Sequence, residues 1–171
     1  MRIAKLLSLL AAGTLLAAPA LAADTHATAP ATPAAFDHFK ALTGNWQAKT
    51  PDGKVTTASY EVYAGGSAVV EKFQGPGEPA MVTVYYPDGG QVMLTHYCTI
   101  GNQPRMRSKQ GGDGKQLKFT FVDASNMKSP ADAHMHAVDF NFTDADHYSQ
   151  TWTMKKDGKE IPFTLSFERA K

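Results

Sequence analysis

Two histidines separated by one residue, His134 and His136, form the most suggestive short motif in the chain. On a β-strand, side chains at positions i and i+2 project to the same face, which is the spacing of two ligands of one metal ion. A third metal ligand is available from His96 or Cys98 across a shared interior. The motif contains no carboxylate, so the sequence favours a partly solvated pair at a strand start over metal or haem ligation or a hydrogen bond to an organic ligand.

His96 and Cys98 have the same spacing on a predicted strand over residues 91–100. A thiol beside an imidazole suggests a cysteine nucleophile with a histidine base. However, side chains at i and i+2 lie side by side on a strand, and no Asp or Asn is obviously placed to orient the imidazole. The sequence therefore favours a buried structural thiol next to a hydrogen-bonded histidine.

Arg105 and Arg107 follow a tight turn at residues 101–104 and share one face of a short predicted strand. If that face points inward, the two guanidinium groups are suited to hold a carboxylate or a phosphate. A register shifted by one residue places Met106 inside and both arginines in solvent. The strand is too short to decide between the registers, and solvation is slightly favoured, so both arginines stay as candidate ligand contacts.

Ten short strands are predicted to position these residues. Runs rich in Val, Thr, Tyr, Phe and Trp alternate with turn sequences such as Pro51-Asp52-Gly53. Short turns predict an antiparallel meander, and an even number of strands allows the first and last strands to pair. We expect an all-β fold, a ten-stranded antiparallel up-and-down β-barrel with one short N-terminal helix, and an open sandwich is the alternative. The helix is predicted over residues 33–42, and the strands over 45–50, 54–63, 67–74, 80–86, 91–100, 105–110, 116–122, 134–142, 147–155 and 161–169.

Alternation along these strands predicts which side chains face the barrel interior. The ninth strand places Trp152 inward together with Tyr148, Gln150 and Met154, which makes Trp152 a further candidate ligand contact. The inward sets of the other strands are also mainly apolar. We therefore expect a lumen with mainly aromatic and aliphatic walls.

The direction of the strands predicts where a ligand enters the lumen. The end at which odd-numbered strands finish, here called the top, carries the longest connections, at residues 75–79 and 123–133. The four candidate residues of the lumen fall in the same half, and the helix enters at the opposite end, where it can close the barrel. The top is thus the predicted mouth, as in other small ligand-binding barrels. These four residues are His96, Cys98, His134 and His136.

The N-terminal residues 1–22 are predicted to be a secretory signal peptide. Arg2 and Lys5 precede an apolar run that ends in Ala20-Leu21-Ala22, and this pattern is typical of signal peptidase substrates. No Cys lies near this site, which argues against a lipoprotein, and nothing later in the chain is suited to span a membrane. Residues 23–33 are predicted to be a flexible leader and residues 34–171 a single barrel domain, soluble and periplasmic or secreted.

Composition excludes several classes of partner. The formal net charge is +1 and both signs are scattered, so there is no basic patch for nucleic acid or for an anionic membrane. The lone Cys98 cannot form an internal disulfide in an oxidising compartment. No cofactor is required by the sequence, and the oligomeric state stays open.

Several segments resemble a group of secreted bacterial proteins of unknown function. The most distinctive is Leu94-Thr95-His96-Tyr97-Cys98 followed by Gly101-Asn102-Gln103-Pro104-Arg105-Met106. The resemblance covers most of residues 36–169 and implies a calycin-like barrel, related in architecture to lipocalins, fatty-acid-binding proteins and nitrobindin-type haem barrels. It implies an interior site rather than an activity. The other matching segments are Leu42-Thr43-Gly44-Asn45-Trp46, Gly65-Gly66-Ser67-Ala68-Val69-Val70-Glu71, Met81-Val82-Thr83-Val84-Tyr85-Tyr86, His134-Met135-His136 and Asp144-Ala145-Asp146-His147 with Trp152.

Three functions are consistent with these observations. The first is a non-catalytic carrier or sensor that binds a small, largely apolar ligand in the lumen. The second is a metal- or haem-dependent protein that uses His96, His134 and His136. The third is an envelope structural or stress protein whose lumen is packed. Catalysis is the less favoured expectation.

Overall fold

The computed structural model describes residues 32–50, 52–109 and 114–171. The predicted signal peptide, residues 1–22, and most of the predicted leader, residues 23–33, lie outside this part of the chain. No helix within the described residues is long and apolar enough to cross a membrane.

Ten antiparallel strands form a closed barrel, and each strand pairs with its neighbours in the sequence. Trp46 and Gln47 of the first strand pair with Arg169 and Glu168 of the last, which confirms the up-and-down barrel and rules out the open sandwich. The closing contact between the first and last strands is short, because it covers only these two residue pairs. In chain order the elements are α1 Ala34–Ala41, β1 Gly44–Lys49, β2 Val55–Tyr63, a short 3-10 turn at Ala64–Gly66, β3 Ala68–Gln74, β4 Met81–Asp88, β5 Gln91–Tyr97, β6 Gln103–Ser108, β7 Gln116–Ser125, β8 His134–Phe142, β9 His147–Lys156 and β10 Lys159–Arg169.

Helix α1 closes the bottom of the barrel with two fully buried aromatic side chains, Phe36 and Phe39. The Phe39 ring stacks on Tyr85 at 4.3 Å and meets Phe119 and Phe140 edge to face at 5.9 and 5.1 Å. These are the favoured geometries of aromatic pairs. The lower half of the lumen is therefore a packed aromatic core.

Arg169, near the C-terminus, ties the end of α1 to the barrel. Its Nη1 donates to the Thr43 carbonyl at 2.9 Å and its Nη2 to the Ala41 carbonyl at 3.2 Å, and its guanidinium lies 4.2 Å from the centre of the Trp46 ring. A cation at the C-terminal end of a helix is also attracted to the negative end of the helix dipole. Gly44 has a φ of +119°, and a Cβ there would lie 3.2 Å from Arg169 Nη1, so this sharp turn requires glycine.

One predicted strand is shorter than the sequence pattern suggested. The strand predicted over residues 91–100 ends at Tyr97, because the chain turns sharply there. The Gly101 N–H donates to the Cys98 carbonyl at 2.9 Å, and β6 then begins at Gln103. Cys98 consequently sits at the start of a turn and not inside a strand.

Candidate functional site

The upper half of the barrel contains a cavity of about 370 Å³. This volume lies within the range of small-molecule binding sites. The connection after β3, at Gly75, Pro76 and Glu78, contributes to its wall, as the predicted mouth requires, whereas the connection at residues 123–133 does not. Most of the wall is apolar and includes Phe73, Met81, Met135, Trp152, Met154 and Leu165.

A gap in strand pairing opens one side of the cavity. Strand β1 pairs with β10 only at Glu168 and Arg169. Residues 159–167 of β10 therefore pair with β9 alone among the described strands. Phe163 and Leu165 lie in this part and line the cavity. Phe163 is 40% exposed, and Ile100, which also lines the cavity, is 47% exposed. The mouth therefore has an apolar rim.

Glu71 on β3 places a carboxylate between the cavity and the packed lower half, although the residue is only 1% exposed. Its Oε1 accepts hydrogen bonds from Tyr60 Oη at 2.8 Å and Gln150 Nε2 at 2.7 Å, and its Oε2 accepts one from Tyr85 Oη at 2.6 Å. None of the salt bridges among the described residues includes Glu71. The carboxylate is held by neutral donors alone.

Trp152 fixes the orientation of the Gln150 amide, and the Glu71 carboxylate accepts from the tyrosine hydroxyls. An indole N–H can only donate, and Trp152 Nε1 lies 2.8 Å from Gln150 Oε1, so the Gln150 NH₂ faces Glu71 and Tyr60. Tyr60 donates to Glu71 and accepts from Gln150, and it therefore also accepts from Tyr148 at 3.0 Å. The chains of donated hydrogen bonds, from Trp152 through Gln150 and from Tyr148 through Tyr60, both end at the Glu71 carboxylate. Three of its roughly four acceptor positions are used, and the remaining one belongs to Oε2.

Three tyrosines in this network stay protonated at neutral pH. Burial raises the pKa of Tyr60, Tyr85 and Tyr148 well above the usual value of 10.0, and the negative charge of Glu71 raises each pKa further. A protonated phenol can donate a hydrogen bond. The high pKa values are thus consistent with tyrosines that serve as donors to a buried carboxylate.

Replacing Tyr85 with phenylalanine should isolate the contribution of one such donor. The ring that stacks on Phe39 is retained, while the hydrogen bond to Glu71 is lost. We expect the free energy of unfolding to fall by about 1.5–3 kcal/mol, as for other hydrogen bonds to charged groups, measured by urea denaturation. Tyr86→Phe is the matched control, since its hydroxyl makes only a 3.4 Å contact with Thr95. Equal losses in the two variants would contradict the predicted role of Tyr85.

His96 is the second polar group of interest in the cavity wall. It is buried, its Nδ1 lies 2.9 Å from Thr83 Oγ1, and its ring centre lies 4.8 Å from that of Trp152. Burial lowers the pKa of His96 to about 4, so the ring is neutral at pH 7. Its Nε2 is buried and has no hydrogen-bond partner among the described residues. A ligand or water that bonds Nε2 would recover a penalty of about 1–3 kcal/mol.

Cys98 also lines the cavity, as a buried free thiol just after the end of β5. Among the described residues, no hydrogen bond joins Cys98 to His96: the imidazole Nδ1 contacts Thr83, and its Nε2 has no partner. The two side chains thus share a wall without the contact that a nucleophile and its base require.

A β-bulge changes the orientation expected for the two histidines of β8. The register with β9 runs from Met135 opposite Met154 directly to Ala137 opposite Thr153, which leaves His136 as an extra residue. A bulge interrupts the simple alternation of side chains along a strand. Met135 lines the cavity, whereas neither histidine is part of its wall.

His134 and His136 interact with each other instead. His134 Nδ1 donates to the Asp132 carbonyl at 2.7 Å, and in a neutral ring its Nε2 then accepts from His136 Nδ1 at 3.1 Å. Both rings also contact Phe121. His96 does not join the pair: within the part of the chain that the structure describes, no group of three or more His, Cys, Asp or Glu side chains is placed to hold a metal ion.

Arg105 and Arg107 both lie on the outer surface. Arg105 forms a two-pronged pair with Asp123, in which Nε donates to Oδ1 at 2.6 Å and Nη2 donates to Oδ2, and Arg107 Nη2 donates to Asp88 Oδ2 at 3.2 Å. Met106 between them is fully buried. Of the two registers that the sequence allowed, the structure has the one with solvated arginines, and neither arginine lines the cavity.

Sequence reasoning identified Trp152, His96 and Cys98 as residues of the lumen, and all three line the cavity, but it did not include Glu71 among the candidate site residues. The available signal was its position, because Glu71 lies two residues from both Val69 and Phe73 and so shares their inward face of the strand. An acidic residue in an inward position is unusual, since Glu is rarely buried without partners. The partners themselves lie in distant parts of the sequence.

Comparisons with known proteins support the fold. No protein-family model and no curated protein matches the chain. Among solved structures, it is similar to the crystal structure of Rv2717c from M. tuberculosis, with a TM-score of 0.54 and 13% identity. The match covers 82% of this chain and 100% of that chain. At this level of identity, the likeness shows that the two proteins have the same kind of barrel.

Proposed function

We propose that this barrel binds a small, largely apolar molecule with one polar end in its upper cavity. The observation that carries the proposal is the arrangement of the cavity wall: an apolar surface with one concentrated polar region. In that region Glu71 on β3 lies opposite Thr83 on β4, and Thr83 lies opposite His96 on β5, so the three polar residues form a row across neighbouring strands. A wall of this composition favours an amphiphile, because apolar contacts supply affinity and a few polar groups fix orientation.

The apolar part of the wall is suited to adapt to a ligand. Met81, Met135 and Met154 all line the cavity, and methionine is flexible and polarisable. Burial of a ligand's apolar surface contributes about 25 cal/mol for each Å² removed from water. The exposed rim residues Ile100 and Phe163 extend this surface outwards to the mouth. An entering molecule thus meets apolar side chains from the rim inwards.

The finer form of the proposal is a calycin-like carrier or sensor that works without catalysis, in the periplasm or outside the cell. The motifs of the secreted group and the export pattern of residues 1–22 support this location. The lower half of the barrel is packed, as expected for a purely structural protein. The upper half contains the cavity, which favours a binding function.

A neutral fluorescent probe, N-phenylnaphthylamine, tests the proposal through a cavity-filling variant. Met154→Trp adds bulk to the cavity wall, and we expect it to weaken probe binding at least about tenfold, equivalent to about 1.4 kcal/mol. Thr153→Trp is the matched control, because Thr153 is the adjacent residue on β9 and does not line the cavity. Its affinity for the probe should equal that of the wild type.

Native mass spectrometry of gently purified protein provides a second readout. A co-purified molecule, lost in Met154→Trp, is the expected result. The absence of any co-purified molecule, together with no binding of the probe or of a panel of lipids, would overturn the proposed function. Elemental analysis and an absorbance spectrum of the same sample separate it from a metal- or haem-dependent function.

A further inference from the structure

We propose that the polar end of the ligand is a protonated amine, which Glu71 binds, and that the cavity discriminates against molecules with a carboxylate end. This inference rests on the proposed function and specifies the ligand class of the same cavity.

The charge of the wall is the first argument. The cavity residues include two carboxylates, Glu71 and Glu78, and no Lys or Arg among the described residues lines it. The nearby candidates for a cationic site, Arg105 and Arg107, are on the outside and paired with Asp123 and Asp88. A ligand with a carboxylate would meet like charge and no cation, and like charges that are close and shielded from water repel strongly.

The hydrogen bonds of Glu71 are the second argument. Tyr60, Gln150 and Tyr85 fill three acceptor positions of the carboxylate, and all three partners are neutral. The buried charge therefore has no cation to compensate it within the described residues. A primary ammonium group provides both the missing positive charge and a donor for the free position on Oε2.

His96 is a third, independent observation in the same wall. Its buried Nε2 has no partner, and its ring is neutral, so it does not supply the cation that Glu71 lacks. It offers one more unused polar atom in the row Glu71, Thr83, His96. The same part of the wall thus contains unused hydrogen-bonding positions, on Glu71 Oε2 and His96 Nε2, and the negative charge of the carboxylate.

Three ligands with the same alkyl chain and different ends test the inference on the wild-type protein. Octylamine, octanol and octanoate are compared at pH 7 by displacement of N-phenylnaphthylamine and by calorimetry. We expect octylammonium to bind at least about tenfold more tightly than octanoate, with octanol between them. Equal affinities, or a preference for octanoate, would overturn the amine inference and leave the proposed function intact. If neither the probe nor any of the three binds, the proposed function fails and the inference fails with it.

The variant Glu71→Gln assigns the preference to one residue. The amide oxygen can still accept from Tyr60 and Gln150, and the NH₂ group can donate to Tyr85, so the network is largely kept. We expect octylammonium to lose about tenfold in affinity while octanol is unchanged. Glu61→Gln, on the outer surface beside Lys72, is the matched control and should keep the wild-type preference. If Glu71→Gln folds and retains the full preference, Glu71 is not the amine site.

Discussion

Phe39→Ala is expected to lower the free energy of unfolding by about 3–5 kcal/mol, the range typical of removing a buried aromatic side chain. Phe39 is fully buried and is the residue of α1 at the centre of the aromatic core. Its loss would leave a cavity beneath Tyr85 and remove edge contacts with Phe119, Phe140 and Phe142. Since the closed barrel surrounds this position, the strands cannot collapse fully into the space.

The measurement is urea denaturation followed by circular dichroism, with the wild type and the control in parallel. Phe163→Ala is the matched control, because Phe163 is 40% exposed at the mouth and its removal should cost about 1 kcal/mol or less. If the loss of free energy of unfolding in Phe39→Ala is equal to or smaller than that in Phe163→Ala, then the packing of α1 against the aromatic core does not stabilise the barrel as predicted.

Burial of His96 should make the protein lose stability as the pH falls from neutral. The pKa of His96 drops from 6.5 to about 4 on folding, because burial disfavours the charged ring. Above pH 6.5 the ring is neutral in both states and imposes no cost. Below it the unfolded chain binds a proton that the folded protein does not, so the unfolded state gains stability as the pH approaches 4. The total loss is about 3 kcal/mol, at about 1.4 kcal/mol per pH unit.

His96→Gln separates this effect from that of the other titrating groups. Glutamine does not titrate and can still bond Thr83, so the variant should lose about 2–3 kcal/mol less than the wild type between pH 7 and pH 4.5. Both proteins share every other acidic and basic group, and the difference between their urea midpoints therefore reports His96. Parallel curves for the two proteins over this range would mean that His96 is already protonated in the fold or remains solvated.

The sequence by itself determined the architecture and most of the inward faces. Alternation is a local property of the strand, so Val92 and Leu94, or Phe140 and Phe142, could be assigned to the interior from neighbouring residues alone. The turn sequences between the strands predicted the meander for the same reason. The helix at the bottom followed from strand direction, and its Phe36 and Phe39 are indeed buried.

Local irregularities limited that reasoning near the mouth. The turn after Cys98 ends β5 early, and the bulge at His136 interrupts the alternation on which the metal hypothesis depended. For Arg105 and Arg107 both registers were open, because a difference of one residue in a turn reverses every side chain that follows. These choices depend on how two strands meet, which the sequence of either strand does not specify.

Only the tertiary structure revealed the polar end of the cavity. Glu71 lies 11 residues from Tyr60, 14 from Tyr85 and 79 from Gln150, and Tyr148 lies 88 residues from Tyr60. Each of these residues has an ordinary place in its own strand. Their convergence arises because closing the barrel brings β2, β3, β4 and β9 around one lumen, where a carboxylate removed from water must be met by donors from every side.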